Sequence, residues 1–353
     1  MNNSFGNNII LTVFGASHCE CVGCTLRGLP KGLPVDENVI GHYLSLRRPE
    51  GEISTSRREP DEYVIESGVS GGFTDGGEVR IVIPNADARP EDYGDTKRLA
   101  RPSHADYTRF VKYGDVSSGG GLFSGRSTAA LCAAGALLTP YLNGKGVFIG
   151  THIKNVAGAE DRGFRDYKKD INELYAKKFA VLDERAGEEM KSRILAAKAE
   201  GDSVGGVLET AVIGLAPGLG EPYFDGLESL LSHALFSIPG VKGVEFGAGF
   251  ALAEMRGSEA NDPFAYENGR VITLTNNSGG INGGIANGMP VVFRCALRPT
   301  PTIRKPQDTV DLNGSNNAVI ASSGRHDPCF VHRARAVVDC VTAFVLADLC
   351  LGS

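Results

Sequence analysis

The segment Ser124-Gly125-Arg126-Ser127-Thr128 runs straight into Ala-Ala-Leu-Cys-Ala-Ala-Gly-Ala-Leu-Leu-Thr-Pro-Tyr-Leu at residues 129–142, and Gly144 follows. Polar starters, a body of alanine and leucine and a glycine stop predict a helix over 129–142. Its first turn carries Arg126 and free backbone amides, which suits an anionic ligand. Around this helix, strands come mostly in pairs. Residues 9–14 and 22–29 read as strands, then Asp36 is positioned to cap a helix running to about Leu46. Residues 63–65 and 78–83 read as a second pair, and 147–153 as a further strand. A charged helix is expected over 167–198, with a break near Gly187. Strands are expected at 204–215, 244–252, 271–275 and 290–297, and helices at 227–236 and 333–351. The glycine-laced stretch 281–288 does not suit a helix interior. This order lacks a steady βαβ rhythm. It predicts an α+β fold with mainly antiparallel sheets. With no linker or low-complexity tract, residues 1–353 read as a single domain.

The 353 residues carry a formal charge of -6, so no global basic field draws nucleic acid or an anionic membrane. No signal peptide and no apolar run of membrane-spanning length is evident, and the cytoplasm is the expected location. The eight cysteines then read as free thiols. His18, Cys19, Cys21 and Cys24 raise a metal site, but the spacing lacks a matching second cluster, and no metal is expected. A strand through Cys19-Glu20-Cys21 would set both thiols on one face.

Three histidines sit in punctuated segments: Gly15-Ala16-Ser17-His18, Arg101-Pro102-Ser103-His104-Ala105-Asp106-Tyr107 and Gly324-Arg325-His326-Asp327-Pro328. His104 follows a proline and precedes a carboxylate, so it reads as a rigid proton donor coupled to an acid. Arg47, Arg48, Arg126 and Arg325 lie at turns or element ends, where guanidinium forks match phosphates and carboxylates. No dinucleotide-binding or Walker pattern is present. The residues alone point to an enzyme acting on a small anionic ligand.

These segments, with Arg57-Arg58-Glu59-Pro60-Asp61, Gly201 to Gly206, Gly218-Leu219-Gly220-Glu221-Pro222, Ser278 to Ile285 and Arg298-Pro299-Thr300, resemble the chorismate synthase family nearly end to end. The resemblance implies central antiparallel sheets sandwiched between helices, usually in a homotetramer. It implies an anti-1,4 elimination of phosphate from 5-enolpyruvylshikimate 3-phosphate to give chorismate. It also implies reduced FMN as cofactor and an external, NADP-linked source of reduced flavin. Carried over by position, His18 would be the acid beside the flavin and His104 the proton donor to the leaving phosphate. Asp327 would help the flavin N5 lose and take its proton. Arg47, Arg48, Arg126 and Arg325 would hold the substrate. Ser124, Gly240, Gly283, Arg298, Pro299, Thr300, Pro301, Thr302 and Arg325 would contact the flavin. The chain departs from the family pattern at Leu122, where an arginine is usual, at Ala16, where an acid is usual, and in residues 115–118, which lack the usual basic side chains. Those departures supply the alternative reading, a flavin- or anion-binding paralogue without the elimination.

Overall fold

The structure is a computed structural model that describes residues 3–56, 59–86, 98–115, 120–321 and 326–352. Two five-stranded sheets organise it, both antiparallel throughout. In the first, Ser4–Phe5, Ile10–Gly15, Cys21–Arg27, Val79–Pro84 and Val64–Ser67 lie side by side in that order. In the second the order is Val241–Phe246, Val291–Leu297, Gly206–Ile213, Phe148–Val156 and Ala159–Glu160. The class is α+β with antiparallel sheets and flanking helices, as the sequence predicts.

The apolar helix expected at 129–142 spans Thr128–Gly144 and packs on the first sheet. The terminal helix, Val331–Gly352, packs on the second sheet and lies against it. Their contact is close because one side lacks a side chain: a Cβ on Gly135 would sit 1.9 Å from the Cys340 carbonyl oxygen. Helix Glu37–Arg47 packs against both, and Asp36 caps it by accepting from Asn38 N at 2.9 Å. Helices Tyr167–Tyr175 and Glu184–Ala199 cover the second sheet's other face, so that sheet has helices on both sides. One cluster of buried apolar side chains runs through both sheets and the helices between them. The Asp348 carboxylate near the end of the terminal helix accepts from the backbone amides of Asn7, Asn8 and Ile9 at 2.9, 2.7 and 2.6 Å.

Several expectations need correction. The charged helix over 167–198 is two helices, and the break falls at 176–183 rather than at Gly187. Ile153 N bonds to Ala180 O, while Leu182 N and Asp183 N donate to the Asp161 carboxylate, so tertiary bonds draw that segment out of the helix. Gly187 is instead buried inside the second helix, against Val181. The strand at 244–252 ends at Phe246, because Gly247 and Gly249 take φ of 56° and 58° and a 3-10 turn, Gly249–Glu254, follows. Cys19 precedes the strand that begins at Cys21, so the two thiols do not share a strand face. The hairpin of Gln307–Asp311 with Asn316–Ile320 and the helix Asp106–Tyr113 were not anticipated.

A buried ionic cluster ties the outer helices to the second sheet. His152 places Nδ1 2.9 Å from Asp161 Oδ2 and Nε2 2.9 Å from Glu209 Oε2. Burial alone would push the imidazole down, but the two carboxylates outweigh it and raise it above its ordinary value. A raised histidine contributes stability that is complete below its unfolded value, near 6.5, and is lost as pH climbs through the folded value. Urea midpoints should therefore fall from about pH 6.5 upward, and His152→Gln should flatten that slope. An unchanged slope in the variant would remove His152 as its cause. His332, buried and pushed down to about 4, acts only below that window and with the opposite sign.

Candidate functional site

A cavity of about 670 Å³ opens where several element ends converge. Its wall includes the end of helix Glu37–Arg47, the first turn of helix Thr128–Gly144, the end of helix Leu227–Phe236 and the start of helix Val331–Gly352. Arg298, Thr300, Pro301 and Thr302, beyond strand Val291–Leu297, complete it with Arg101, Ser103, His104 and Ala105. Two helices thus present their N-terminal ends, where amides and the helix dipole favour negative charge. Among the described residues, six cationic side chains line the space (Arg47, Arg101, Arg126, Lys242, Arg298 and Arg333) against two carboxylates, Glu59 and Asp327. The walls also carry apolar groups, among them Leu122, Phe123, Ile238 and Phe330. A ligand with several negative charges and an apolar body matches this lining.

His104 is fixed through one ring nitrogen. Ser103 takes φ of 58°, and the turn brings His104 Nδ1 within 3.0 Å of both Asp106 Oδ1 and Arg101 Nη2. Arg101 clasps the same carboxylate, with Nε 2.7 Å from Oδ2 and Nη2 2.7 Å from Oδ1, while its backbone amide donates to Oδ2 at 3.0 Å. Burial alone would raise the Asp106 carboxyl, but the hydrogen bonds from Arg101 and His104 outweigh it and hold it well below the usual carboxylate range. The acid inferred from sequence therefore does face the histidine. Both contacts use Nδ1, which leaves Nε2 for a ligand.

Arg47 and Arg126 share one carboxylate. Arg47 gives Nη1 to Asp61 Oδ2 at 2.8 Å, Nε to Thr128 Oγ1 at 2.8 Å and Nη2 to the Gly125 carbonyl at 2.9 Å. Arg126 gives Nη1 to Asp61 Oδ1, Nε to Asn85 Oδ1 at 2.7 Å and Nη2 to the Pro84 carbonyl at 2.9 Å. Ser124 orients the turn by accepting from Arg126 N at 3.2 Å. Across the cavity, Asp327 accepts from Thr55 N at 2.8 Å and from Arg333 Nη1, and Arg333 Nε reaches the Arg47 carbonyl at 2.9 Å. Arg298 reaches back to the Ser103 carbonyl at 2.6 Å, joining residues 298–302 to the His104 turn. At Gly240, with φ of 96°, an added Cβ would meet the Phe330 ring at 2.4 Å, so the chain can pass the ring only as glycine.

Of the residues named from sequence, His104, Asp327, Arg47, Arg126, Ser124, Gly240, Arg298, Thr300, Pro301 and Thr302 line this one cavity. Others do not. His18 lies outside the lining, on the turn after strand Ile10–Gly15, where Ser17 N bonds to the Gly121 carbonyl at 3.3 Å. Arg48 turns to the Pro60 carbonyl at 2.9 Å and Pro299 stands outside the lining. Gly283 sits in the small hairpin of Ile281–Asn282 with Ile285–Ala286, also outside it. Arg325, Arg57 and Arg58 are outside the described residues. Sequence reasoning assigned no role to Asp61, Arg101, Lys242 or Arg333. Arg101 and Asp61 lay within quoted segments, but only the fold turns Asp61 toward two arginines. Among the described residues, no three His, Cys, Asp or Glu side chains form a group able to hold a metal ion.

Comparison with known proteins agrees with this geometry. A family model described as chorismate synthase matches residues 9–351. A chorismate synthase of Aeropyrum pernix is 44% identical over 352 residues, covering 99% of this chain and 93% of that protein. One from Korarchaeum cryptofilum is 42% identical over 352 residues, covering 98% of this chain and 96% of that protein. A crystal structure of chorismate synthase superposes with a TM-score of 0.76 at 27% identity, covering 99% of this chain and 93% of the other.

Asp106→Asn removes the carboxylate charge that Asp106 sets against the buried Arg101 guanidinium. The expected cost is about 3 kcal/mol of unfolding free energy, measured by urea denaturation. A loss below about 0.5 kcal/mol, the range of an ordinary surface substitution, would mean the pair does not hold the turn.

Proposed function

The chain belongs to the chorismate synthase family, and on that premise we propose that it eliminates phosphate and a ring proton from 5-enolpyruvylshikimate 3-phosphate to give chorismate, with reduced FMN as cofactor. The observation that carries this reading is the single cavity that gathers His104, Asp327, Arg47 and Arg126. Its residues fit both ligands. The excess of cations suits a substrate bearing phosphate and carboxylates, and the apolar walls beside Gly240 and Phe330 suit a flat ring system. Bound reduced FMN would supply the electron density that lets phosphate leave and an acceptor for a ring hydrogen that no side-chain base could remove unaided.

The protein's part is positioning and charge. Arg47 and Arg126 hold the substrate's anionic groups through donors that their structural bonds leave over. A guanidinium has five N–H groups, and each of these two spends three on the protein. His104 delivers a proton from Nε2 to the departing phosphate, while Asp106 Oδ1, itself clasped by Arg101, accepts from Nδ1 and holds the ring. Asp327, steadied by Thr55 N and Arg333, would hold a proton beside the bound flavin. Arg298, Thr300, Pro301 and Thr302 form the cofactor's side of the cavity with Ser124 and Gly240. His18 is an assignment by family position, on the turn that bonds through Ser17 N to the Gly121 carbonyl beside the cavity. Arg48, Arg325, Gly283 and Pro299 remain assignments by family position.

We also propose one domain, a cytoplasmic location, an outside source of reduced flavin and a homotetramer. Tyr223, Phe224, Phe250 and Tyr266 are each more than four-fifths exposed, which is costly for aromatic side chains unless another subunit covers them. The second reading is a paralogue that binds flavin or anions without elimination; of the departures that motivate it, Leu122 stands in the cavity wall.

Anaerobic incubation with substrate and reduced FMN should yield chorismate, and oxidised FMN should not. No product with reduced FMN at saturating substrate would leave the paralogue. His104→Ala should lower kcat by about 10²-fold or more with the circular dichroism spectrum unchanged, and full turnover in that variant would end its role as proton donor. Light scattering should give a tetramer mass, reduced by Phe224→Glu with Tyr266→Glu; a wild-type monomer would overturn the assembly.

A further inference from the structure

Asp61 occupies a position that its own backbone disfavours. It takes φ of 51°, in the left-handed region, and its side chain is 0% exposed. Only Asn, Asp and Gly visit that region readily. The carboxylate it carries there bridges two guanidiniums from separate elements. Oδ2 receives Arg47 from the end of helix Glu37–Arg47, and Oδ1 receives Arg126 from the turn that opens helix Thr128–Gly144. Both arginine side chains are nearly buried, at 6% and 2% exposure. Two buried like charges repel each other and lose hydration, so neither would hold its place without an anion between them. One carboxylate between two guanidiniums leaves the group with one uncompensated positive charge, on the cavity wall.

We propose that Asp61 is a positioning residue that holds Arg47 and Arg126 side by side as a preformed receptor for a phosphate or carboxylate group. Asp61 does not line the cavity. It acts through the arginines, fixing their planes from behind. Thr128 and the Gly125 carbonyl complete the brace on Arg47, and Asn85 and the Pro84 carbonyl complete that on Arg126. The ligand's charge then completes the neutralisation that Asp61 begins. The inference rests on the reading that these arginines bind the substrate's anionic groups.

Asparagine tolerates the same backbone angle, so Asp61→Asn removes the charge and one acceptor while the turn can persist. Inorganic phosphate serves as the probe, because its binding can be read by calorimetry on the full chain without turnover. Wild type should bind phosphate, and Arg126→Met should abolish that binding, which locates the anion. Asp61→Asn should weaken it at least tenfold, and in the enzyme assay KM for the substrate should rise by a similar factor with kcat changed less than threefold. A folded Asp61→Asn protein that binds phosphate as wild type does would overturn the inference alone. Absence of phosphate binding in wild type, or its survival in Arg126→Met, would overturn the reading of the arginines and this inference with it. Should Asp61→Asn fail to fold, Asn85→Ala removes a neutral part of the same brace. It should weaken phosphate binding several-fold, and unchanged binding there would likewise overturn the proposal.

Discussion

The contact between helices Thr128–Gly144 and Val331–Gly352 is the constraint on which the rest of the structure depends. One helix carries the first sheet and the other carries the second, so their spacing sets the distance between the two sheets. Gly135 against the Cys340 carbonyl makes that spacing as short as two helix backbones allow. The same contact fixes where the helices begin. Arg126 and Thr128 at the start of one, and Asp327 and Arg333 at the start of the other, arrive at one cavity. Packing in the core and the placing of charge at the site are therefore a single arrangement.

That arrangement concentrates positive charge in a protein whose net charge is negative. Buried guanidiniums are costly to desolvate, and the fold meets the cost locally. Asp61 serves Arg47 and Arg126, Asp106 serves Arg101, and Asp327 serves Arg333. Each carboxylate holds its arginine in one orientation, and Arg47 and Arg126 keep donors that these bonds leave over. The cavity can thus be rigid before a ligand arrives, which lowers the ordering cost of binding.

Much of this was legible in the chain. The cap at Asp36 and the apolar run after Thr128 depend on neighbours in sequence, and local chemistry suffices to read them. The coupling of His104 to Asp106 spans two residues and was readable for the same reason. The break at 176–183 was not, because it is made by Asp161 and Ile153, which lie far away in the chain. Nor was Asp61, whose partners are 14 and 65 residues distant. Family likeness placed Gly283 and His18 at the site, whereas the geometry of the chain sets both outside the cavity lining. Spacing along a sequence reports what is near in the chain, and this site is built from what the two sheets and their helices bring together.

The Asp348 carboxylate, which receives the amides of Asn7, Asn8 and Ile9, bears on how the chain comes to be folded at all. These partners are 339 to 341 residues apart. On a ribosome Asn7, Asn8 and Ile9 emerge long before Asp348, so they wait for their anchor while the intervening chain is made. The helix that ends at that anchor also supplies Arg333 and one face of the cavity. Until it docks, the arginine-rich loops have no fixed places and the apolar faces of both sheets are uncovered. Contacts of such long range close late and slowly, and the uncovered intermediate is the species exposed to aggregation. The slow step in folding this chain is thus the one that completes the cavity, and no complete cavity exists until helix Val331–Gly352 has docked.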